Sequence, residues 1–493
     1  MGTIERDSPV PLYHQLKTLI REQIESGLWR PGDRIPTEEE LCRIYGISRS
    51  PVRQALKELV YEGVLVRRPG AGTFVSESPP HRVVPNLSIQ LICSDPRWSE
   101  LMAHIRQAWN AAHPSQPISF QVKVVSHSRL YDLLSAAIGS GTAPDAAMVD
   151  SVWVAGLARA GFLYSLEELD TRWKPSRYSQ DLYPAFVRAN SYQGKLYGLP
   201  VKADISLLWY RKDWLTQEGL LPPQDWDELL RVARHFLRPE VQEQYRYAYP
   251  LVFPGGGAGA ETTVYTLMPF VWSAGGEVFE DGEVALDSPA TRRALHFLRD
   301  LVVTHHVAPA DVIRYREDTA LRLFATGKAV MALGGSYEAD RMHEISGWDP
   351  EEFQQRVGYT LPPSAPGEQP APTIGGTSYV ILRQSSQPQE VIKVLRFATD
   401  PAQVGVYYRD RLQILPNPSF NHLVSPETAP FLAWVAEHIS LGRARPSIPE
   451  YVKVSRQLQV MFEKTFSDPI PIEVLTRRTA EFISVICDAP CRM

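Results

Sequence analysis

Apolar residues at Leu12, Leu16, Leu19, Ile20 and Ile24 recur at helical spacing and predict an amphipathic helix from Leu12 to Ser26. Gly27 ends it, and Pro31-Gly32 turns the chain. Thr37-Glu38-Glu39-Glu40 has the order of a capping box: the Thr37 hydroxyl caps the first turn and Glu40 reaches back. A short second helix therefore runs to about Tyr45, and Gly46 permits a tight turn after it. Ser48 is the next N-cap, and Pro51 falls in the first turn of a third helix, which closes at Glu62 before Gly63. Val52, Leu56, Leu59 and Val60 line one face of that helix and leave Arg49, Ser50, Arg53 and Lys57 on the other. Val64–Arg67 and Thr73–Val75 then flank Arg68-Pro69-Gly70-Ala71-Gly72, a hairpin with a glycine-rich tip.

Residues 78–87 (SPPHRVVPNL) hold three prolines and no periodicity, so they read as a semi-rigid linker between a block at 1–77 and a larger block at 88–493. The larger block alternates strand-like and helix-like runs. Strands are expected at Leu87–Cys93, Ile118–Val125 and Ala146–Val149, and helices at Leu101–Ala112, Leu130–Ile138 and Val152–Ala160. This alternation argues an α/β architecture with largely parallel sheets, in two lobes. Ligands in such sheets bind at the carboxyl ends of strands, which puts Asp150, Ser151 and Trp153 at a rim. The proline-rich run PPSAPGEQPAP at 362–372 reads as a surface loop.

Composition narrows the possibilities. With 44% hydrophobic and 22% charged residues over 493, the chain is an ordinary globular one, not a disordered or fibrous one. The net charge is −5, and residues 1–77 balance 11 Lys and Arg against 11 Asp and Glu. Any nucleic-acid contact must therefore come from charges sorted onto one face. Four cysteines are too few for a disulfide scaffold, and none sits at zinc-finger spacing, so neither a metal nor a cofactor is expected. Met1 to Val10 lacks an apolar signal-peptide core, and no run of 18 apolar residues predicts a membrane span. The expected compartment is the cytoplasm, with no membrane partner.

A short helix, a glycine turn and a helix opening with Arg49, Ser50 and Arg53 suit a reader of the DNA major groove, because guanidinium bonds bidentately to guanine or phosphate. The hairpin with its bare tip suits a wing. The motifs PGDRIPTEEELC, GISRSPVRQAL, EGVLVRR and GAGTFV follow in the order of the GntR-type bacterial transcription regulators, whose winged helix-turn-helix this block resembles over roughly 65 residues. The resemblance implies DNA contacts from Ser48, Arg49, Ser50 and Arg53, from Arg68, Gly70 and Gly72 at the wing, and from Arg34 to phosphate. Two positions depart from the family: Glu39 stands where Arg is common, and Pro51 where Thr is usual.

The larger block resembles the carbohydrate-type solute-binding proteins of ABC importers through GTAPDAAMVDSVWVAGLARAGFLYSLEEL, GKLYGLPV, PPQDWDELL, FATGKAVMALGGSYEADRM and TIGGTSYVIL. This implies a periplasmic-binding-protein-like (type II) α/β domain whose two lobes are joined by crossing strands, with the ligand held between them. The implied contacts are Asp150, Ser151, Trp153, Lys202, Asp204, Tyr249, Gly256 within the Gly255–Gly257 loop, Trp272, Tyr337, Gly375, Gly376 and Tyr451. Aromatic faces stack on sugar C–H surfaces while Asp and Lys bond hydroxyls. The glycine run at 255–259 does not fit a dinucleotide fingerprint, and adjacent His305 and His306 make poor metal partners. With no nucleophile–base motif, an enzyme is not expected. The combined expectation is a ligand-responsive regulator that binds double-stranded operator DNA as a homodimer and senses a small molecule, a carbohydrate. The alternative is the receptor of an ABC importer.

Overall fold

The computed structural model describes residue 4 and residues 12–61, 63–68, 70–77, 87–169 and 179–492. The expected helix end at Glu62, the tip residue Pro69 and most of the 78–87 segment lie outside the described residues.

The N-terminal unit is built from α1 (Leu12–Glu25), α2 (Glu38–Tyr45), α3 (Arg49–Tyr61), β1 (Leu65–Arg68) and β2 (Gly72–Val75). The capping box forms in full: Thr37 Oγ1 accepts the Glu40 N–H at 3.3 Å, and Glu40 Oε2 accepts the Thr37 N–H at 2.7 Å. Gly46 then takes a left-handed φ of 64°, which turns the chain into α3. Leu16, Ile20, Ile35, Leu41, Val52, Leu56, Leu59 and Val75 close one small core. β1 and β2 pair antiparallel with Arg68 opposite Gly72.

In the larger unit, β3 (Leu87–Cys93) lies parallel to β4 (Ile118–Val124) and to β5 (Ala146–Asp150). The 14-residue strand β6 (Gly198–Arg211) runs through both lobes. Its first half pairs with β10 (Thr373–Ile381), and its second half pairs with β8 (Ala329–Gly335) and β9 (Val357–Thr360). β8 also pairs with β7 (Tyr249–Val252). The order along the sheet is β4-β3-β5-β10-β6-β8-β7.

The sheet is less parallel than expected. β5–β10, β10–β6 and β6–β8 are antiparallel, and in that order the parallel pairs are the outer ones. The reason lies in β6 and β10, which cross between the lobes and run in opposite directions. A chain that passes out to the second lobe must return beside its outgoing strand. Lobe I buries Ile89, Leu91, Met148 and Tyr379 beneath helix α4 (Trp98–Ala112), and Ile92, Ala147 and Val149 beneath α5 (His127–Gly139) on the other face of the sheet. Lobe II packs α6 (Glu261–Ser273) and the C-terminal helices α7 (Tyr451–Ser467) and α8 (Ile472–Cys487) around Trp209, Phe253 and Phe270. The proline-rich run is not a surface loop: residues 362–365 and 371–372 are buried and only 366–369 are exposed. Its Ala365 N–H bonds Ser273 Oγ at 3.2 Å, so it serves as packing for the end of α6.

The two units touch. From α1, Tyr13 Oη donates to Gly141 O (3.2 Å), His14 Nε2 to Gln384 O (2.9 Å) and Arg21 Nη1 to Ser386 O (2.8 Å). Gly141 precedes β5 and Gln384 follows β10, so the head sits at the pole of lobe I opposite the carboxyl end of β5.

Candidate functional site

Asp150 ends β5, and in register Thr377 of β10 stands opposite both Asp150 and Lys202 of β6. Directly opposed residues project to the same side, so Asp150, Thr377 and Lys202 form one row across three strands. Asp204 lies two residues farther along β6 and therefore on that same face, opposite Gly375. A Cβ at Gly375 would lie 2.3 Å from Asp204 Oδ1 and 2.8 Å from Tyr265 Cε2. The missing side chain is what lets Tyr265 Oη, from lobe II, donate to Asp204 Oδ1 at 2.8 Å. Gly376 likewise admits the edge of Phe186 and Lys202 O.

Charges from both lobes converge on this row. Arg445 donates through Nη1 to Glu261 Oε1 of α6 (2.7 Å) and through Nη2 to Asp150 Oδ1 (3.3 Å). Tyr451 Oη also bonds Glu261 Oε1, and Ser455 Oγ bonds Glu261 Oε2 at 2.5 Å. At the other edge Arg97 binds Asp95 (3.0 Å) and also Asp340 across the lobes. Lys202 Nζ stands 3.8 Å from Asp95 and over the Trp98 ring. Burial raises the Asp204 carboxyl above its usual range, against the opposing pull of Lys202 and the Tyr265 hydroxyl. Burial acts on Asp95 in the same sense, but there Lys202 and Arg97 prevail and hold the carboxyl low. Burial also pushes the Tyr265, Tyr337 and Tyr451 phenols well up, so all three stay neutral, and Tyr265 and Tyr451 donate to the Asp204 and Glu261 carboxylates.

The structure brings most of the expected ligand residues to this cleft. Asp150, Lys202, Asp204, Gly375 and Gly376 line the crossing strands. Tyr451 joins through Glu261, and Tyr337 packs edge-on to Tyr265 at 5.7 Å. Gly256 ends the loop after β7, where a Cβ would meet Ile313 O at 2.7 Å. Ser151 faces inward to bond Gly376 O (3.0 Å) and Ser378 Oγ (3.0 Å), and Trp153 is stacked by His127 at 5.1 Å. Two residues are not brought in. Tyr249 opens β7, at the end opposite the rim, and lines a surface depression with Leu237, His306 and Pro309. Trp272 sits near the far end of α6 under Arg443. Sequence reasoning missed Arg445, Glu261, Tyr265, Thr377 and Gln413. Thr377 Oγ1 and Gln413 Oε1 are buried without a hydrogen-bond partner among the described residues. The glycine-rich loop just before Glu261 was the one available signal.

On the N-terminal unit, Ser48, Arg49, Ser50 and Arg53 are exposed at the start of α3, and Arg68 and Gly70 at the hairpin. Arg34 lies against the hairpin: a Cβ on Gly72, at φ 119°, would come within 2.8 Å of Arg34 Nε. Four arginines of this face already have a carboxylate. Arg49 pairs with Glu39 (2.5 Å), Arg53 and Arg67 share Glu38 (3.4 and 2.7 Å), and Arg68 pairs with Glu77 (2.8 Å).

Known families divide along the same line. Residues 12–75 match the bacterial regulatory proteins of the gntR family, and residues 96–405 match the bacterial extracellular solute-binding proteins. The chain belongs to the bacterial extracellular solute-binding protein family, with a gntR-family helix-turn-helix domain at its N-terminus. The regulatory domain is 53% identical over 72 residues to the histidine utilization repressor of Klebsiella aerogenes, which covers 15% of this chain and 30% of that one. The solute-binding domain is 26% identical over 305 residues to a probable ABC transporter-binding protein of Deinococcus radiodurans, 60% of this chain and 68% of that protein. Among solved structures, an ABC-transporter solute-binding protein of Thermotoga lettingae bound with alpha-D-tagatose superposes with a TM-score of 0.72 at 24% identity, covering 82% of this chain and all (100%) of that one. Maltose-bound MalE3 of T. maritima gives a TM-score of 0.69 at 25% identity, over 81% of this chain and 100% of its own. Among the described residues, no helix of the solute-binding domain or the head is long and apolar enough to cross a membrane, and no cluster of His, Cys, Asp and Glu could hold a metal ion.

Proposed function

We propose that this chain is a ligand-responsive transcription regulator. A DNA-reading head at 1–77 and a linker at 78–87 precede a sensor at 88–493, whose interlobe cleft captures a sugar or oligosaccharide. The protein acts in the cytoplasm as a homodimer on operator DNA and carries out no catalysis. The observation that carries this reading is the union in one chain of an exposed arginine face on α3 with a cleft whose polar row is built from both lobes. Ser48, Arg49, Ser50, Arg53, Arg68 and Gly70 contact the duplex, and Arg34 and Gly72 shape the wing. Asp150, Thr377, Lys202, Asp204, Tyr265 and Tyr337 meet the ligand, whose hydroxyls exchange bonds with carboxylates and phenols.

Ligand can change operator affinity only through unequal affinity for the arrangements of the two lobes. A tenfold to hundredfold effect requires about 1.4–2.8 kcal/mol of coupling. The test is fluorescence anisotropy on a duplex that the protein selects from a random library, titrated with candidate sugars at fixed salt. A sugar shown by calorimetry to bind the cleft, yet without effect on duplex affinity, refutes the switch. The second reading, a receptor that delivers solute to an ABC importer, is favoured by the likeness of residues 96–405 to named binding proteins. It predicts the protein outside the cytosolic fraction of the native cell.

A further inference from the structure

Glu39 is the residue of the DNA-reading face that its neighbours do not explain. It does not cap α2, because Glu40 reaches back to Thr37 and Thr37 caps the first turn. It is not part of the core: its side chain is 68% exposed and that of its partner Arg49 is 66% exposed. An ion pair that open adds little to stability. The pair nevertheless joins the first turn of α2 to the first residue of α3, with Arg49 Nη2 held 2.5 Å from Glu39 Oε1. Two turns of protein thus meet at the guanidinium that leads the recognition helix.

We propose that Glu39 is a specificity-determining residue that turns Arg49 from a phosphate contact into a base reader. This rests on the DNA-reading function proposed above. An unpaired arginine at the head of the helix is drawn to the nearest phosphate, and that attraction carries no sequence information. Pairing with Glu39 cancels the charge that drives it. The guanidinium has five N–H donors, and the contact to Glu39 uses Nη2, so other donors stay free for the O6 and N7 of a guanine. Glu39 also fixes the plane of the fork, so a base edge meets it preoriented. Glu38 does the same for Arg53 and Arg67.

The experiment uses the full chain, a duplex selected by the wild-type protein from a random library, and a scrambled duplex of equal length, each measured over a salt series. Glu39→Gln is expected to bind the scrambled duplex about fivefold more tightly near physiological salt. Its log K against log salt slope steepens by about 0.9, the increment for one further phosphate neutralised. Affinity for the selected duplex stays within about twofold, so the specific-to-scrambled ratio falls. Arg49→Lys keeps the charge and loses the fork, and is expected to lose about tenfold or more on the selected duplex only. An unchanged thermal midpoint in both variants separates this from a structural role. A Glu39→Gln protein with unaltered scrambled affinity and slope overturns the inference, as does an Arg49→Lys protein weakened equally on both duplexes. A wild-type chain that selects no sequence refutes the DNA-reading function itself, and this inference with it.

Discussion

Arg445→Met is the most direct probe of the cleft. Arg445 is 3% exposed in its side chain, and the Asp150 and Glu261 side chains are each 10% exposed, so all three charges lie away from water. The guanidinium ties the end of β5 in lobe I to the start of α6 in lobe II at 3.3 and 2.7 Å. Methionine fills similar space but leaves two buried carboxylates facing each other without a cation. Breaking a buried ion pair in this way costs about 3–5 kcal/mol. Adding Asp150→Asn and Glu261→Gln removes the stranded charges and should recover most of the loss. Urea unfolding of the solute-binding domain at pH 8, followed by tryptophan fluorescence, gives the numbers. A single variant within about 1 kcal/mol of wild type at pH 8 refutes the reasoning, because it means that water reaches the cluster and the lobes do not meet as described.

Three further outcomes follow from single positions. Glu338 is buried, its Oε2 accepts the Trp209 indole N–H (2.9 Å) and the Gly335 N–H (3.0 Å), and burial raises its pKa to about 7. The folded chain therefore holds a proton that the unfolded chain releases from about pH 4.5 upward, and stability falls as pH rises from there to about 7. Glu338→Gln keeps one oxygen for both donors, so it should be the more stable protein above pH 7, by up to about 3 kcal/mol, and lose that pH dependence in thermal melts. Gly375→Ala drives a Cβ into Asp204 and Tyr265, both buried, and should destabilise by about 1–3 kcal/mol and weaken sugar binding in calorimetry. A variant with wild-type affinity would show that the Tyr265–Asp204 bond is not needed. His14 donates to Gln384 O, and burial lowers its pKa against the opposing pull of that bond, with Lys17 and Arg21 adding to the lowering and Glu58 opposing it. Docking of the head should therefore loosen as pH falls below the ordinary imidazole value of about 6.5, detected as faster proteolysis between the units, and His14→Ala should loosen it at every pH.

What was legible in the sequence was local. The capping box at Thr37–Glu40, the turn at Gly46 and the early Pro51 place α2 and α3 within a residue or two, because each signal acts within one turn of chain. β3 and β5 are legible as short apolar runs bounded by turns, and the strand ends then put Asp150 at the rim. What was not legible depends on partners distant in the chain. Glu261 and Arg445 are 184 residues apart and each reads alone as a solvated charge. The antiparallel crossing of β6 and β10 joins residues more than 160 positions apart, and no periodicity reports which strand returns beside which. Tyr249 shows a different failure. An aromatic residue at a strand suits a rim only if it closes the strand, and Tyr249 is the first residue of β7. Trp272 lies a little under two turns beyond Tyr265 on α6, about 10 Å along the axis, so the helix that delivers one to the cleft carries the other away from it.

On the proposed function, the docking of the head constrains how ligand binding can reach DNA. α1 holds to Gly141, Gln384 and Ser386, which lie at the N-terminal end of β5 and the C-terminal end of β10. These are the ends away from the cleft, and the segment is itself fixed by Gln384 Nε2 to Ile138 O (2.7 Å) and by Ser385 Oγ to Asp145 (2.7 Å). The head and lobe I therefore move as one body. If ligand opens or closes the cleft by pivoting lobe II about the middle of β6 and β10, the distance from Arg49 to lobe I stays unchanged. On the proposed function, a single chain then presents the same DNA-reading face with or without ligand. On that function the change in operator affinity has to come from how two copies are spaced, since two heads read two half-sites only when their separation matches the operator. Tyr13→Phe combined with Arg21→Ala removes two of the bonds described above between the head and lobe I. The proposed coupling predicts that this variant binds sugar and operator normally and loses the effect of one on the other. A doubly altered protein with undiminished coupling would show that the head takes its signal from elsewhere.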